Sequence, residues 1–270
     1  MIPVDTPSAK DIMAVAVHPQ AIVSEGATLE DGVSIGPYAV VGEHVKIRRD
    51  TVIDSFAQVL RFTTVGARCH IFPYAVVGNI PQDLKYRGER SYLEIGDNNL
   101  IREFVTINPG TQKDSKTTIG NNNLIMAYSH IAHDCIIGDN NILANGATLA
   151  GYVEIEDKVV VGGLVAVHQF CRIGSYAIIG GCSKVVQDVP PYSMCDGHPA
   201  KIHGLNIVGL RKGGFSREAI ACLKKAFKIL FFQNHTFDRA CKIVKREFPR
   251  SPEVNRLIAF ISSSKRGICR

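Results

Sequence analysis

The apolar residues of this chain recur with a period of six. Taking every sixth position from Val17 to Val185 gives 29 positions, and 26 of them are Val, Ile or Leu. The same segment holds 47 such residues among 169, so an even spread would place about eight of them in this register. The period predicts short stacked strands, each with one aliphatic side chain pointing inward.

A second register, four places after each inward position, holds small or β-branched residues. It includes Ala27, Val33, Ala39, Val45, Thr51, Ala57, Thr63, Cys69 and Ala75, and later Cys135, Ala147, Val153, Val159, Val165, Cys171 and Ala177. Narrow side chains suit the corners of a coil, and three sides of six residues make an 18-residue coil. Stacked about 4.8 Å apart, such coils predict a mainly β triangular prism over 17–190, after a lead-in at 1–16.

Three positions break the period, namely Asp83, Glu89 and Lys113, but the phase is kept on either side of them. The sequence therefore predicts two loops extruded from the prism, near 78–94 and 108–118. Loops that interrupt a regular scaffold are often functional.

The period ends after Val185, and we expect a C-terminal helical domain over 191–270. In Phe215–Phe232 the apolar residues lie on one helical face, and Ser216 is a suitable N-cap. Further helices are expected at 236–248 and 252–262.

Charge is divided unevenly between these two parts. Residues 201–270 contain 16 Lys and Arg against four Asp and Glu, whereas residues 1–200 contain 15 against 21. A basic end of this kind favours an acidic partner by electrostatic steering. Nucleic acid is the other candidate, but no binding motif supports it.

The remaining composition is typical of a cytoplasmic protein. No run of 18 apolar residues predicts membrane insertion, and no secretory signal is evident. Three of the eight cysteines fall in the small-residue register and no CxxC pair exists, so we expect reduced packing residues.

The candidate chemistry lies in the segment His130-Ile131-Ala132-His133-Asp134-Cys135. Ile131 occupies the inward register, so His133 lies on a face or edge of the prism. An adjacent carboxylate can hold an imidazole in one tautomer, as a general base requires. Six other histidines have no evident companions and are interpreted as structural or solvated, namely His18, His44, His70, His198, His203 and His235.

The 18-residue spacing places Gly151 above His133 and Gln169 above Gly151, with His168 beside this column. A glycine between two polar side chains leaves a notch where a backbone N–H can serve an oxyanion. An ordinary polar face with a corner glycine is the alternative interpretation.

Longer segments of the chain resemble the UDP-N-acetylglucosamine O-acyltransferase family, whose hexapeptide repeats form a left-handed parallel β-helix. These segments are Gln82-Asp83-Leu84-Lys85-Tyr86, His130 to Cys135, Ala147-Thr148-Leu149-Ala150-Gly151, Val167-His168-Gln169-Phe170, Gln187-Asp188-Val189-Pro190-Pro191-Tyr192, Leu205-Asn206 and Gly214 to Ile220. The resemblance implies transfer of a fatty acyl group, usually 3-hydroxylated, from acyl carrier protein to the glucosamine 3-hydroxyl, the first step of lipid A synthesis. It implies no metal and no cofactor other than the phosphopantetheine that carries the acyl group.

Carried over by this resemblance, the catalytic base is His133, its orienting carboxylate is Asp134, and the oxyanion donor is the amide of Gly151. The substrate contacts implied in the same way are Gln82, Asp83, Lys85, His130, His168, Gln169, Asn206 and Lys212. The resemblance also implies that Gly181 limits the acyl groove. Family members are homotrimers with the site between adjacent prisms, so we expect His133 of one subunit to face the Gln82–Lys85 loop of another.

The chain departs from the family pattern at Tyr152, Val208 and Gly213, where the family often has histidine, glutamate and arginine. The interpretation as a sister acyltransferase that uses another nucleotide sugar or a 3-amino sugar therefore remains an alternative. A metalloenzyme on the same prism, which needs three clustered histidines, and a prism that only binds partners are the remaining alternatives.

Overall fold

The structure is a computed structural model that describes residues 14–270. Within this range the chain forms 28 short strands followed by four helices. Most of the predicted lead-in at 1–16 therefore lies outside the described residues. The first strand is Ala16–Val17.

The strands form three sheets, which we call faces A, B and C. Face A comprises Ala16–Val17, Ser34–Ile35, Val52–Ile53, His70–Ile71, Leu100–Ile101, Leu124–Ile125, Ile142–Leu143, Val160–Val161, Ile178–Ile179, Ser193–Gly197 and Ala200–Leu205. Face B comprises Ile22–Val23, Val40–Val41, Gln58–Val59, Val76–Val77, Thr106–Ile107, His130–Ile131, Thr148–Leu149, Ala166–Val167 and Lys184–Val185. Face C comprises Thr28–Leu29, Lys46–Ile47, Thr63–Val65, Tyr92–Ile95, Lys116–Ile119, Ile136–Ile137, Glu154–Ile155 and Arg172–Ile173.

Every third strand pairs in parallel, so the chain winds as a coil around a triangular core. Ile35 pairs with Ile53, and Ile131 pairs with Leu149, each 18 residues further on. The inward aliphatic residues from Ile35 onward and most of the small-residue register are buried. The mainly β, left-handed parallel β-helix predicted above is therefore confirmed.

Each coil turns at its corners through a residue with positive φ. At the corner between faces B and C, Asp134, Tyr152 and Phe170 have φ values of 58°, 60° and 65°. The turns stack with the predicted 18-residue spacing, because Tyr152 N donates to His133 O at 3.0 Å and Phe170 N to Gly151 O at 3.2 Å.

Both extruded loops leave the coil at this same B–C corner. The first, residues 78–91, joins Val77 to Tyr92, and the second, residues 108–115, joins Ile107 to Lys116. They are shorter than the predicted loops because the strands to which the chain returns are four residues long and begin early. The six-residue period marks only one residue in each strand and could not show this.

The pairing of face A continues beyond Pro190 and Pro191, where we expected the domain to change. Cys195 pairs with Ile179, and Ser193–Gly197 then forms an antiparallel hairpin with Ala200–Leu205. The six-residue period does not extend to this hairpin. Its strands are five and six residues long and pair antiparallel to each other, unlike the mostly two-residue parallel strands that the corners of the coil stack.

Four helices follow the hairpin: α1 Ile207–Lys212, α2 Arg217–Phe231, α3 Phe237–Glu247 and α4 Pro252–Ser263. Asn206, Ser216, Thr236 and Ser251 cap their N-termini. Helix α4 contacts the prism through Arg256, whose guanidinium donates to Glu156 and to Ser175 Oγ, both at 2.8 Å. Among the described residues no helix is long and apolar enough to cross a bilayer.

Candidate active site

The B–C corner encloses a cavity of about 770 Å³. It lies where the first loop folds back over the stacked turns of the coil. Its lining residues are Gln82, Asp83, Leu84, Lys85, Tyr86, Glu89, Thr111, Gln112, His133, Tyr152, Gln169 and Phe170. Both loops and three successive turns therefore contribute to one site.

His133 faces this cavity with its orientation fixed by the next residue. Its Nδ1 lies 2.9 Å from Asp134 Oδ2. Because a carboxylate accepts, Nδ1 carries a proton, and in the neutral imidazole Nε2 then has a free lone pair. The side chains of His133 and Asp134 are only 14% and 8% exposed. This arrangement can accept a proton from a bound hydroxyl group.

Thr111 supplies two further hydrogen bonds to the same carboxylate oxygen. Its Oγ1 donates to Asp134 Oδ2 at 2.7 Å and its backbone N–H at 3.1 Å. Burial by itself would raise the pKa of Asp134, but hydrogen bonds from His133, Thr111 and Ser115 outweigh it and lower the pKa. Asp134 is therefore held as an anion.

Gly151 makes room for the imidazole ring. A Cβ atom built on Gly151 would lie 2.6 Å from His133 Nε2, which no side chain could tolerate without displacing the ring. The Gly151 N–H donates to no group that the structure describes in residues 14–270. A free N–H beside a base can stabilise a developing oxyanion.

The first loop meets His133 of its own chain. Asp83 Oδ2 lies 3.8 Å from His133 Nε2, and Gln82 and Lys85 line the same cavity. The expectation that this loop also faces His133 of a neighbouring subunit stays a prediction. The loop leaves from the corner that carries His133, so it folds along that corner.

Three predicted substrate contacts lie close to this corner and have different neighbours, namely His130, Gln169 and His168. His130 Nδ1 is 2.7 Å from Thr106 Oγ1, and burial together with nearby His133 lowers its pKa. Gln169 lines the cavity. His168 is exposed and lies beside Arg266, whose guanidinium is 3.3 Å from its Nδ1.

The other predicted contacts lie elsewhere in the chain. Asn206 caps α1 and donates to Tyr176 O at 2.8 Å, and Lys212 is in the last turn of α1. Both are near the C–A corner, since a Cβ on Gly213 would contact the Tyr176 ring. Gly181 is at the A–B corner, where its Cβ would lie 3.2 Å from Gly163 O. One chain does not bring these residues to His133.

Two residues that line the cavity were not predicted from the sequence as site residues, namely Tyr152 and Thr111. Tyr152 places its ring edge against His133, with centroids 5.3 Å apart, and stacks on Phe170 at 4.9 Å. The 18-residue spacing put Tyr152 above Asp134 and could have shown this contact. Thr111 lies in a loop outside the period, so no sequence signal placed it beside Asp134.

No group of three or more His, Cys, Asp and Glu side chains in residues 14–270 has the arrangement of a metal site. The metalloenzyme interpretation needs such a ligand set. The cysteines of this range are free, and Cys69, Cys135 and Cys171 are buried in the coil.

The sequence and the fold of this chain match those of known proteins. Family models described as bacterial transferase hexapeptide and as UDP-N-acetylglucosamine O-acyltransferase domain 2 match residues 116–151 and 188–269. The chain is 51% identical to the acyl-(acyl carrier protein)-UDP-N-acetylglucosamine O-acyltransferase of Thermodesulfovibrio yellowstonii and 48% identical to that of Thiobacillus denitrificans, covering 94% of this chain and 99% of each relative. The crystal structure of UDP-N-acetylglucosamine O-acyltransferase from Moraxella catarrhalis superposes with a TM-score of 0.91 at 43% identity, covering 94% of this chain and 99% of that one. With near-complete coverage in both sequence and structure, this chain belongs to the UDP-N-acetylglucosamine O-acyltransferase family.

Proposed function

We propose that this protein transfers a fatty acyl group from acyl carrier protein to the 3-hydroxyl of UDP-N-acetylglucosamine, in lipid A biosynthesis. The observation that carries the proposal is the His133–Asp134 pair, whose imidazole lines the cavity and lies against Gly151. The names of the relatives supply the two substrates.

In the proposed reaction, Nε2 of His133 removes the proton of the sugar 3-hydroxyl while that oxygen attacks the thioester carbonyl. Asp134 stabilises the imidazolium that forms. The N–H of Gly151 donates to the oxyanion of the tetrahedral intermediate. The carbon–sulfur bond then breaks, and His133 returns the proton to the departing thiol. The products are the sugar ester and free acyl carrier protein, so the chain itself needs no cofactor.

The sugar nucleotide would lie between the first loop and the stacked turns. Asp83 and Lys85 project into the cavity, and Gln169 lines its upper side. Asn206 and Lys212 can join them only from a second copy of the chain, since both lie near another corner. This separation supports a homotrimer with the site in the cleft between neighbouring prisms, in which Gly181 limits the acyl groove. The homotrimer and a cytoplasmic location stay predictions.

The helical end would capture the protein that delivers the acyl group. Its excess of Lys and Arg is opposite in sign to the acidic surface expected of acyl carrier protein. Lys224, Lys225 and Lys228 lie together on the exposed side of α2.

The acceptor group is tested directly by a substrate panel. Purified protein is incubated with 3-hydroxyacyl carrier proteins and either UDP-N-acetylglucosamine or its 3-amino analogue, and mild alkali then distinguishes an ester from an amide. We expect turnover of the hydroxyl sugar to an alkali-labile ester. Exclusive turnover of the amino sugar would replace the acceptor in this proposal, and no turnover of either sugar would contradict it.

A further inference from the structure

We propose that Thr111, within the second extruded loop, is a positioning residue for the base. It fixes the Asp134 carboxylate, which in turn fixes the tautomer of His133. The kinetic consequence rests on the proposed function, whereas the tautomer of His133 can be measured without it.

Three donors converge on one oxygen of Asp134. His133 Nδ1, Thr111 Oγ1 and the Thr111 N–H lie 2.9, 2.7 and 3.1 Å from Oδ2. Rotation of the carboxylate away from His133 would break both bonds from Thr111 at once. Water could replace them only poorly, because Thr111 is 7% exposed and the Asp134 side chain 8%. The two hydrogen bonds from Thr111 therefore favour the carboxylate orientation in which Oδ2 also accepts from His133 Nδ1.

The second loop is pinned so that Thr111 stays in place. Gln112 N donates to Ser115 Oγ at 3.0 Å, which closes the loop on itself. Asp114 N donates to Arg90 O at 2.8 Å and Gly110 N to Tyr92 O at 3.3 Å, which fixes it to the end of the first loop and to the strand that follows. The eight residues at 108–115 thus deliver the Thr111 hydroxyl group to the carboxylate of Asp134.

The test uses two substitutions that separate the hydroxyl group of Thr111 from its methyl group. Thr111→Val keeps the shape and the backbone donor but removes the shortest hydrogen bond, whereas Thr111→Ser keeps the hydroxyl. A matched control is Thr117→Val, because Thr117 is fully buried and its hydroxyl has no partner among the residues that the structure describes.

We expect Thr111→Val to lower kcat about ten- to hundredfold, the usual effect of losing a hydrogen bond to a charged group. The KM for both substrates should change little, since Thr111 acts through Asp134. Thr111→Ser should recover most of the loss, and Thr117→Val should behave as wild type. Equal kcat in wild type and Thr111→Val would overturn the proposal. So would equal losses in the Val and Ser variants, which indicate a role in folding the loop.

The spectroscopic arm is independent of turnover. In protein labelled with ¹⁵N-histidine, above the pH at which histidines titrate, the His133 signals are assigned by their loss in His133→Ala. Wild type, Thr111→Ser and Thr117→Val should show Nδ1 protonated and Nε2 free, and Thr111→Val should shift toward a mixture of tautomers. An unchanged tautomer in Thr111→Val overturns the positioning role even if the wild type transfers no acyl group, and in that case the proposed function fails separately.

Discussion

At the scale of single residues, the site depends on a glycine that leaves space for a histidine. The imidazole of His133 occupies the volume that a side chain at position 151 would take. The turn itself accepts a side chain, because Ala127 occupies the equivalent turn position at another corner. Gly151 is therefore required by its contact with His133 rather than by its backbone conformation.

This account makes a prediction for Gly151→Ala. The added methyl group must push the imidazole out of place and cover the N–H, so kcat should fall about 10²–10³-fold, as for loss of an oxyanion donor. Steady-state turnover gives kcat, and the thermal midpoint serves as the folding control. A variant that melts with the wild type and retains its kcat would contradict the role of the notch.

A second prediction at this scale concerns Gly181. A Cβ there meets only the backbone of Gly163, and the family resemblance implies that a longer side chain would extend into the acyl groove. Wild type should prefer a long acyl chain of around fourteen carbons, and Gly181→Met should prefer about ten, because each excluded methylene loses about 0.8 kcal/mol. Turnover of C10, C12, C14 and C16 donors tests this. The same chain-length profile in both proteins would place the limit of the groove elsewhere.

At the scale of elements, the loops and helices add distinct surfaces to the regular coil. The loops at 78–91 and 108–115 extend from one corner, so they reach the turns that carry His133 and Gly151. Helix α2 buries Leu223, Phe227 and Leu230 and leaves its lysines in solvent. The coil supplies the frame, and the loops add further lining residues to the cavity.

The prediction for α2 is a change in donor affinity. Reversing Lys224, Lys225 and Lys228 to Glu should raise KM for acyl carrier protein thioesters, and raised salt should have the same effect on wild type. A short acyl-pantetheine donor should be used as before. The matched control reverses three exposed cations near the opposite end of the prism, Lys46, Arg48 and Arg49. Equal losses with both donors, or equal losses in the control, would show that α2 is not the docking surface.

At the scale of the whole molecule, the periodic part of the fold could be predicted from the sequence and the rest could not. The period predicted the three faces, the stacked turns and the two extruded loops, because each depends on a repeated burial pattern. It did not show the hairpin at 193–205, helix α1 or the contact of Thr111. These depend on longer strands, on a helix of only six residues and on a loop outside the repeat.

The separation of the predicted contacts also makes a prediction about assembly. His133, Gly181 and Lys212 lie near three different corners, so a site that uses all three residues would require neighbouring copies. Light scattering should give three times the chain mass of 29.5 kDa. A fully active protein of 29.5 kDa would mean that one prism holds the whole site.

Turnover by His133→Ala tests the central claim most directly. The substitution removes the base while leaving the coil around Ile131 unchanged, so the variant should keep its thermal midpoint and oligomeric mass. With acyl carrier protein thioester and UDP-N-acetylglucosamine, kcat should fall about 10²–10⁴-fold, the usual cost of losing a general base. A folded His133→Ala protein that keeps more than about a tenth of the wild-type kcat, a loss far below that range, would show that another group removes the proton.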